Sequence, residues 1–153
     1  MKILFVCTGN ICRSPTAQGI MESLAARADV DITCDSAGTF DYHVGEAPDP
    51  RAVSRAACDR IDLSAQRARR VTVEDFERFD VIYAMDDGHM QALKAMRPTG
   101  ARAKLQAFIQ GRDVPDPWYG DENNFDETYM IIQQGAQNIL DNIKTQMDCR
   151  KAT

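Results

Sequence analysis

Histidine is scarce: His43 and His89 are the only two in 153 residues. The five cysteines show no paired metal-ligand spacing, so the composition argues against a zinc protein. Their odd number and irregular spacing also lack the rhythm of a disulfide scaffold. A reducing, cytoplasmic home follows, where thiol chemistry is free to be functional. Long apolar runs are missing as well. Ile3 to Val6 is too short for a signal-peptide core, and no segment has the length to cross a bilayer. No internal repeat, low-complexity tract or linker interrupts the chain, and residues 1–153 are expected to form one domain. An excess of positive charge is absent too. Eighteen Lys and Arg stand against 23 Asp and Glu, a net charge of −5 that argues against nucleic acid as a partner. The cluster Arg67, Arg69 and Arg70 reads as a solvated helix edge or turn.

What is present alternates. Lys2 to Val6 predicts a buried strand, because its apolar run is uninterrupted. Ser14-Pro15 predicts the start of a helix running to Ala28. A second strand is expected over Val30 to Cys34, ending in a Ser36-Ala37-Gly38 turn. Asp49-Pro50 opens a second helix extending towards Ile61, and Thr72 to Asp75 has the pattern of a capping box. Asp80 to Met85 reads as a strand, Asp86 to Met96 as a helix and Lys104 to Phe108 as the fourth strand. A loop rich in Pro and Asp covers Gly111 to Asp121, and a last helix is expected from Asn124 to Met147. Such alternation predicts an α/β fold: a small, doubly wound, Rossmann-like sheet of parallel strands with helices on both faces. Ligands of such sheets sit beyond the carboxyl ends of the strands.

The strongest local signal is Cys7-Thr8-Gly9-Asn10-Ile11-Cys12-Arg13-Ser14, between a buried strand and a helix N-terminus. A loop closing onto a helix end turns backbone N–H groups inward and makes an anion-binding nest. Gly9 and Asn10 are the residue types that tolerate the left-handed backbone a nest requires. Arg13 adds a planar charged fork for two phosphate oxygens. Cys7 in that positive setting is a nucleophile that needs no histidine base. Ser14 is placed to donate its hydroxyl to the sulfur. Cys12 lies close enough along the loop to bridge Cys7 reversibly under peroxide.

Cys7 to Pro15 resembles the signature loop of the low-molecular-weight protein tyrosine phosphatases. The likeness continues through Ser36-Ala37-Gly38-Thr39, Tyr42-His43 to Pro48-Asp49, Asp62-Leu63-Ser64, Asp75-Phe76 to Met85-Asp86 and Asp116-Pro117-Trp118-Tyr119. The resemblance implies a four-stranded parallel sheet and a two-step hydrolysis through a phosphocysteine, with no metal or other cofactor. It implies Cys7 as nucleophile, Arg13 as phosphate fork and Asp116 as general acid and then base, with phosphate bound by Thr8 through Ser14. Asp113 reads as a solvated loop carboxylate. The family's aryl cleft would correspond here to Ile11, Phe40, Trp118 and Tyr119. Expected partners are a phosphotyrosine protein or small aryl phosphate, with inorganic phosphate as product, no membrane, and a monomer or weak homodimer. Three residues invite comment. His89 stands where the family commonly has asparagine and reads as a polar helix residue. Arg60 replaces a usual glycine, and His43 reads as a structural, loop-ordering histidine.

Two rivals share the fold. An arsenate reductase would need two further cysteines after the third strand, and Tyr83 to Met96 contains none, leaving only Cys58 in its favour. A phosphoarginine phosphatase would favour threonine where this chain has Ile11. A non-enzymatic phosphate binder would have no use for a nucleophile paired with a proton donor.

Overall fold

β1 (Lys2–Cys7) is the interior strand on which everything else is laid. Its side chains are buried on both faces, as its continuous apolar run requires. Ile3, Phe5 and Cys7 enter the larger of two cores, and Leu4 and Val6 enter the smaller one. The computed structural model describes residues 1–153. Its other strands are β2 (Thr33–Gly38), β3 (Val81–Ala84) and β4 (Lys104–Ala107), all parallel in the order β2-β1-β3-β4.

Five helices cover the sheet. The larger core lies under α1 (Arg13–Ala28), α2 (Pro50–Ala57) and α5 (Glu122–Lys151), through Ala17, Ile20, Met21, Ala56, Tyr129 and Ile132. The smaller core lies under α3 (Asp75–Arg78) and α4 (Asp87–Met96), through Phe76 and Leu93. The doubly wound four-stranded architecture expected from the alternation is therefore the one observed. The chain leaves β1 towards β2 on one side and returns to β3 on the other, so the switch point falls at the carboxyl ends of β1 and β3. No helix is long and apolar enough to cross a membrane.

Several boundaries differ from the expectation, each for a physical reason. β2 is Thr33–Gly38, not Val30 to Cys34, and the predicted Ser36-Ala37-Gly38 turn is its second half. Val30 and Ile32 are packing residues ahead of it. The strand is defined by its register with β1, from Lys2 opposite Thr33 to Cys7 opposite Gly38, and an edge strand tolerates the polar sequence Asp35-Ser36. α2 stops at Ala57, because Arg60 takes a left-handed backbone (φ 61°) and turns the chain back. A side chain in that conformation costs on the order of 1–2 kcal/mol relative to glycine, the residue expected there. α5 begins two residues before the predicted start and continues to Lys151, with Asp121 and Asn124 capping each other reciprocally at its N-terminus. Asp75 reaches back to the Thr72 N–H and hydroxyl (2.8 and 3.3 Å), half of the capping box that the sequence suggested.

The end of β2 holds the loop that follows β1. Thr39 N–H donates to the Cys7 carbonyl and Phe40 N–H to the Thr8 carbonyl. A Cβ at Gly38 would stand 2.6 Å from the Thr8 carbonyl oxygen and 3.2 Å from the Asn10 nitrogen, both backbone atoms that cannot rotate away. Gly38→Ala should therefore displace the loop and destabilise the fold by about 1–3 kcal/mol, the usual cost of overpacking. Urea denaturation reads the loss, and unchanged stability with unchanged phosphate binding would contradict this close approach.

Candidate active site

Loop residues 8–12 cross from the carboxyl end of β1 to the start of α1. Cys7 is the last residue of the strand and is buried. Asn10 takes the left-handed backbone (φ 58°) that its residue type tolerates. Its side chain is fully used. Nδ2 donates to Ser14 Oγ (2.8 Å) and Ser36 Oγ (2.9 Å), and Oδ1 accepts the Arg69 backbone N–H (3.0 Å). Ser14 Oγ lies 2.9 Å from Cys7 Sγ. Asn10 takes one lone pair of that oxygen, and the Ser14 proton is within reach of either the sulfur or, at a longer 3.4 Å, the Ala37 carbonyl.

Arg13 is buried where three loops meet. Nη1 donates to Asp86 Oδ2 after β3 (2.8 Å) and to the Val114 carbonyl after β4 (2.9 Å). Nη2 donates to Thr8 Oγ1 (3.3 Å) and lies 3.6 Å from Asp116 Oδ2. Asp116 is part-exposed, with Oδ1 accepting the Trp118 N–H at 3.0 Å. Asp113 is not merely solvated: it accepts the Asp87 N–H (2.9 Å) and ties the late loop to the start of α4.

These groups open on one cavity of about 150 Å³. Of the expected phosphate-loop residues, Cys7, Thr8, Gly9, Ile11, Cys12 and Arg13 line it, while Asn10 and Ser14 support it from behind. Asp116, Trp118 and Tyr119 form part of its wall. Phe40 does not. It stacks on Tyr42 (centroids 5.2 Å apart, planes 6° apart), and Tyr42 occupies the wall in its place, beside His43. His43 Nδ1 sits 2.5 Å from Glu46 Oε2, and its ring is 5.5 Å from that of Trp118. A larger concavity of about 960 Å³ runs between β4 and α5, but it contains none of the cysteines and neither Asp113 nor Asp116.

Comparison with known proteins places the chain in a family. The family described as "Low molecular weight phosphotyrosine protein phosphatase" matches residues 2–149. The chain belongs to that family. It is similar to the low molecular weight phosphotyrosine protein phosphatase of Schizosaccharomyces pombe, at 35% identity over 94% of this chain and 97% of that protein. Among solved structures it resembles a protein tyrosine phosphatase from Entamoeba histolytica with Hepes in the active site (TM-score 0.89, 32% identity, 96% of this chain and 99% of that one). It also resembles a Drosophila arginine phosphatase (TM-score 0.89, 29% identity, 94% and 98%).

Three side chains at the centre of this phosphatase were not legible in its sequence. His89, expected as an ordinary polar helix residue, is buried. Its N–H donates to Asp86 Oδ1 (3.0 Å), and Nε2 lies 2.8 Å from Thr8 Oγ1. Arg69 is no solvated edge, since it pairs with the buried Asp75 (2.9 Å) and with Asp35 (3.0 Å). Arg51 binds Asp49 and reaches the Gly120 carbonyl (3.0 Å) and the Trp118 carbonyl (3.2 Å), holding the late loop over the cavity. Only the charge of Arg51 next to Asp49-Pro50 hinted at this, and nothing hinted at the other two.

Electrostatics sorts the remaining groups. Burial foremost, then the Asp49 carboxylate, pushes the Cys12 thiol far up, so it stays protonated at neutral pH. Burial alone would raise the Asp86 carboxyl, but the His89 N–H and Arg13 hold it below the usual range. His89 is pushed down to about 4 by burial and by the neighbouring Arg13 charge. In the unfolded chain the imidazole titrates near 6.5, so the unfolded state takes up the proton first. This contribution to stability is intact above about pH 6.5 and declines towards pH 4, at up to about 1.4 kcal/mol per pH unit. Denaturant titrations at pH 7 and pH 4.5 should show a smaller acid loss for His89→Gln than for the native chain. Equal losses would mean that His89 is charged in the fold.

Proposed function

We propose that this phosphatase hydrolyses aryl phosphomonoesters, phosphotyrosine on protein foremost, in two displacements through a phosphocysteine at Cys7. One observation carries the reading: a sulfur with a hydroxyl 2.9 Å away, a buried guanidinium and a part-exposed carboxylate share one small cavity. In the first step Cys7 Sγ attacks phosphorus, and the S–P bond forms as the P–O bond to the aryl group breaks. Asp116 gives its proton to the departing oxygen, because a phenolate leaves poorly unaided. In the second step Asp116 takes a proton from water, whose oxygen attacks phosphorus and expels the Cys7 thiolate. Inorganic phosphate is released, and the Ser14 proton eases departure of the sulfur. Arg13 and the loop N–H groups carry the charge that develops on the equatorial oxygens.

The walls favour an aryl ester. Tyr42, Trp118 and Tyr119 flank the opening, and Ile11 presents an apolar side chain beside the nucleophile. A flat ring gains area against such walls, whereas a charged guanidinium leaving group gains less from Ile11. The arsenate reading gains nothing from Cys58, which sits at the end of α2 and is not among the residues that line the cavity.

Hydrolysis of a phosphotyrosine peptide in excess chelator tests the mechanism. Turnover should survive the chelator, vanish in Cys7→Ser and fall about 10²–10⁴-fold in Asp116→Asn, the range for loss of a general acid. Undiminished turnover in Asp116→Asn would remove that residue from its role.

The same cavity bears on redox protection. Peroxide converts the Cys7 thiolate to a sulfenic acid, and the Cys12 thiol, in the same cavity, would displace water to form the Cys7–Cys12 disulfide. Thiol reductant should then restore peroxide-treated native enzyme, while Cys12→Ser recovers less than half as much. Equal recovery would exclude a resolving role for Cys12.

A further inference from the structure

The residue after the nucleophile carries a hydroxyl whose hydrogen bonding is almost fully determined. Thr8 Oγ1 lies 2.8 Å from His89 Nε2 and accepts from Arg13 Nη2 at 3.3 Å. Which way the proton runs between Thr8 and His89 depends on the ring tautomer, and the backbone decides it. The Asp86 N–H donates to His89 Nδ1 at 3.2 Å and has no other acceptor. Nδ1 is also 3.2 Å from Asp86 Oδ1, which accepts the His89 backbone N–H, so the Asp86 N–H is what distinguishes the two tautomers. A proton on Nδ1 would set two donors face to face and leave a backbone amide orphaned, which folded proteins avoid. Nδ1 therefore carries the lone pair, and the neutral ring bears its proton on Nε2. The charged groups facing the ring are Arg13 from α1, Asp86 ahead of α4, and Asp113 and Asp116 from the late loop. Of these, only the Arg13 charge opposes a second positive charge on the ring.

His89 Nε2–H and Arg13 Nη2–H then both donate to Thr8 Oγ1. Its two lone pairs are occupied, and its own proton meets no acceptor of the protein. Thr8 lines the same cavity as Cys7 and Arg13. We propose that the Thr8 hydroxyl donates a hydrogen bond to an oxygen of the bound phosphoryl group, and that His89 is the positioning residue that turns it there. The inference rests on reading the cavity as the phosphoryl site, and it adds a side-chain donor to the backbone nest and Arg13. It also accounts for the burial of His89, an expensive side chain to enclose unless both ring nitrogens have partners.

Long-range proton–nitrogen NMR of the full chain at pH 7 reads the tautomer directly. A protonated Nε2 with a bare Nδ1 is expected; the opposite tautomer, in which Thr8 spends its proton on the ring, overturns the proposal. Calorimetric titration with inorganic phosphate in the Cys7→Ser background reads the donor without any need for turnover. Thr8→Val should weaken phosphate about tenfold, as loss of one hydrogen bond to a charged group does, and Thr8→Ser should restore it to within about twofold. His89→Phe should weaken phosphate when Thr8 is present and add less than about twofold once Thr8 is Val. Unchanged affinity in Thr8→Val, or a full additional loss from His89→Phe in that variant, would overturn the assignment. Should His89→Phe not fold, the tautomer and the two Thr8 variants decide the matter alone. Failure of the phosphocysteine mechanism would appear elsewhere, as turnover persisting in Cys7→Ser.

Discussion

A single buried guanidinium joins the loops that follow β1, β3 and β4. Burying a charge costs several kcal/mol unless it is paired and hydrogen-bonded. Arg13 meets that condition only when Asp86, the Val114 carbonyl and Thr8 converge on it. Its satisfaction therefore couples the assembly of the cavity to completion of the parallel sheet, because each partner stands just beyond a different strand. Nη1 is occupied by this structural task. The Nη2 edge, beside Thr8 and Asp116, is turned towards the space where an anion would sit.

A second network shapes the loop itself. Asn10 pays for its left-handed backbone by clamping Ser14, Ser36 and the Arg69 N–H at once. Arg69 is in turn held by the buried Asp75, and Ser36 by Gln18. Such networks rigidify a site only when every member is satisfied, and here each of these side chains has its partner. The rigidity bears on the site, since the Asn10 amide fixes the Ser14 hydroxyl beside the Cys7 sulfur. The rim, by contrast, is open to solvent, where Tyr42 and Tyr119 are among the most exposed large side chains of the molecule.

Much of this could be read along the chain. The run Ile3 to Val6 announced a strand buried on both faces, and the Cys7 to Pro15 stretch announced an anion loop at a helix start. The long Pro- and Asp-rich loop before the last helix was also legible, and the structure brings its Asp116 to the cavity. Less legible was β2, whose Asp35 and Ser36 look like turn residues until their backbone pairs with β1. Of the four residues expected around an aryl ring, Ile11, Trp118 and Tyr119 line the cavity, but Phe40 does not and stacks on Tyr42 instead. Those two residues are separated by one position, and only the path of the loop settles which ring faces inward. The short α2 was equally hidden, because Arg60 gives no sign in sequence that its backbone turns left-handed.

The sequence by itself determined the order of strands and helices, the fold class and the run from Cys7 to Ser14 that joins β1 to α1. These follow from periodicity, from turn chemistry and from groups adjacent along the chain. Tertiary structure alone decided that His89 touches Thr8, that Arg69 holds Asn10 and that Arg51 pins the late loop. Each of those contacts joins positions more than fifty residues apart. A histidine or arginine carries the same local pattern whether it ends in water or beside a buried carboxylate. What distinguishes the two fates is desolvation and the partner met there, and both arise only when distant loops are brought to the same edge of the sheet.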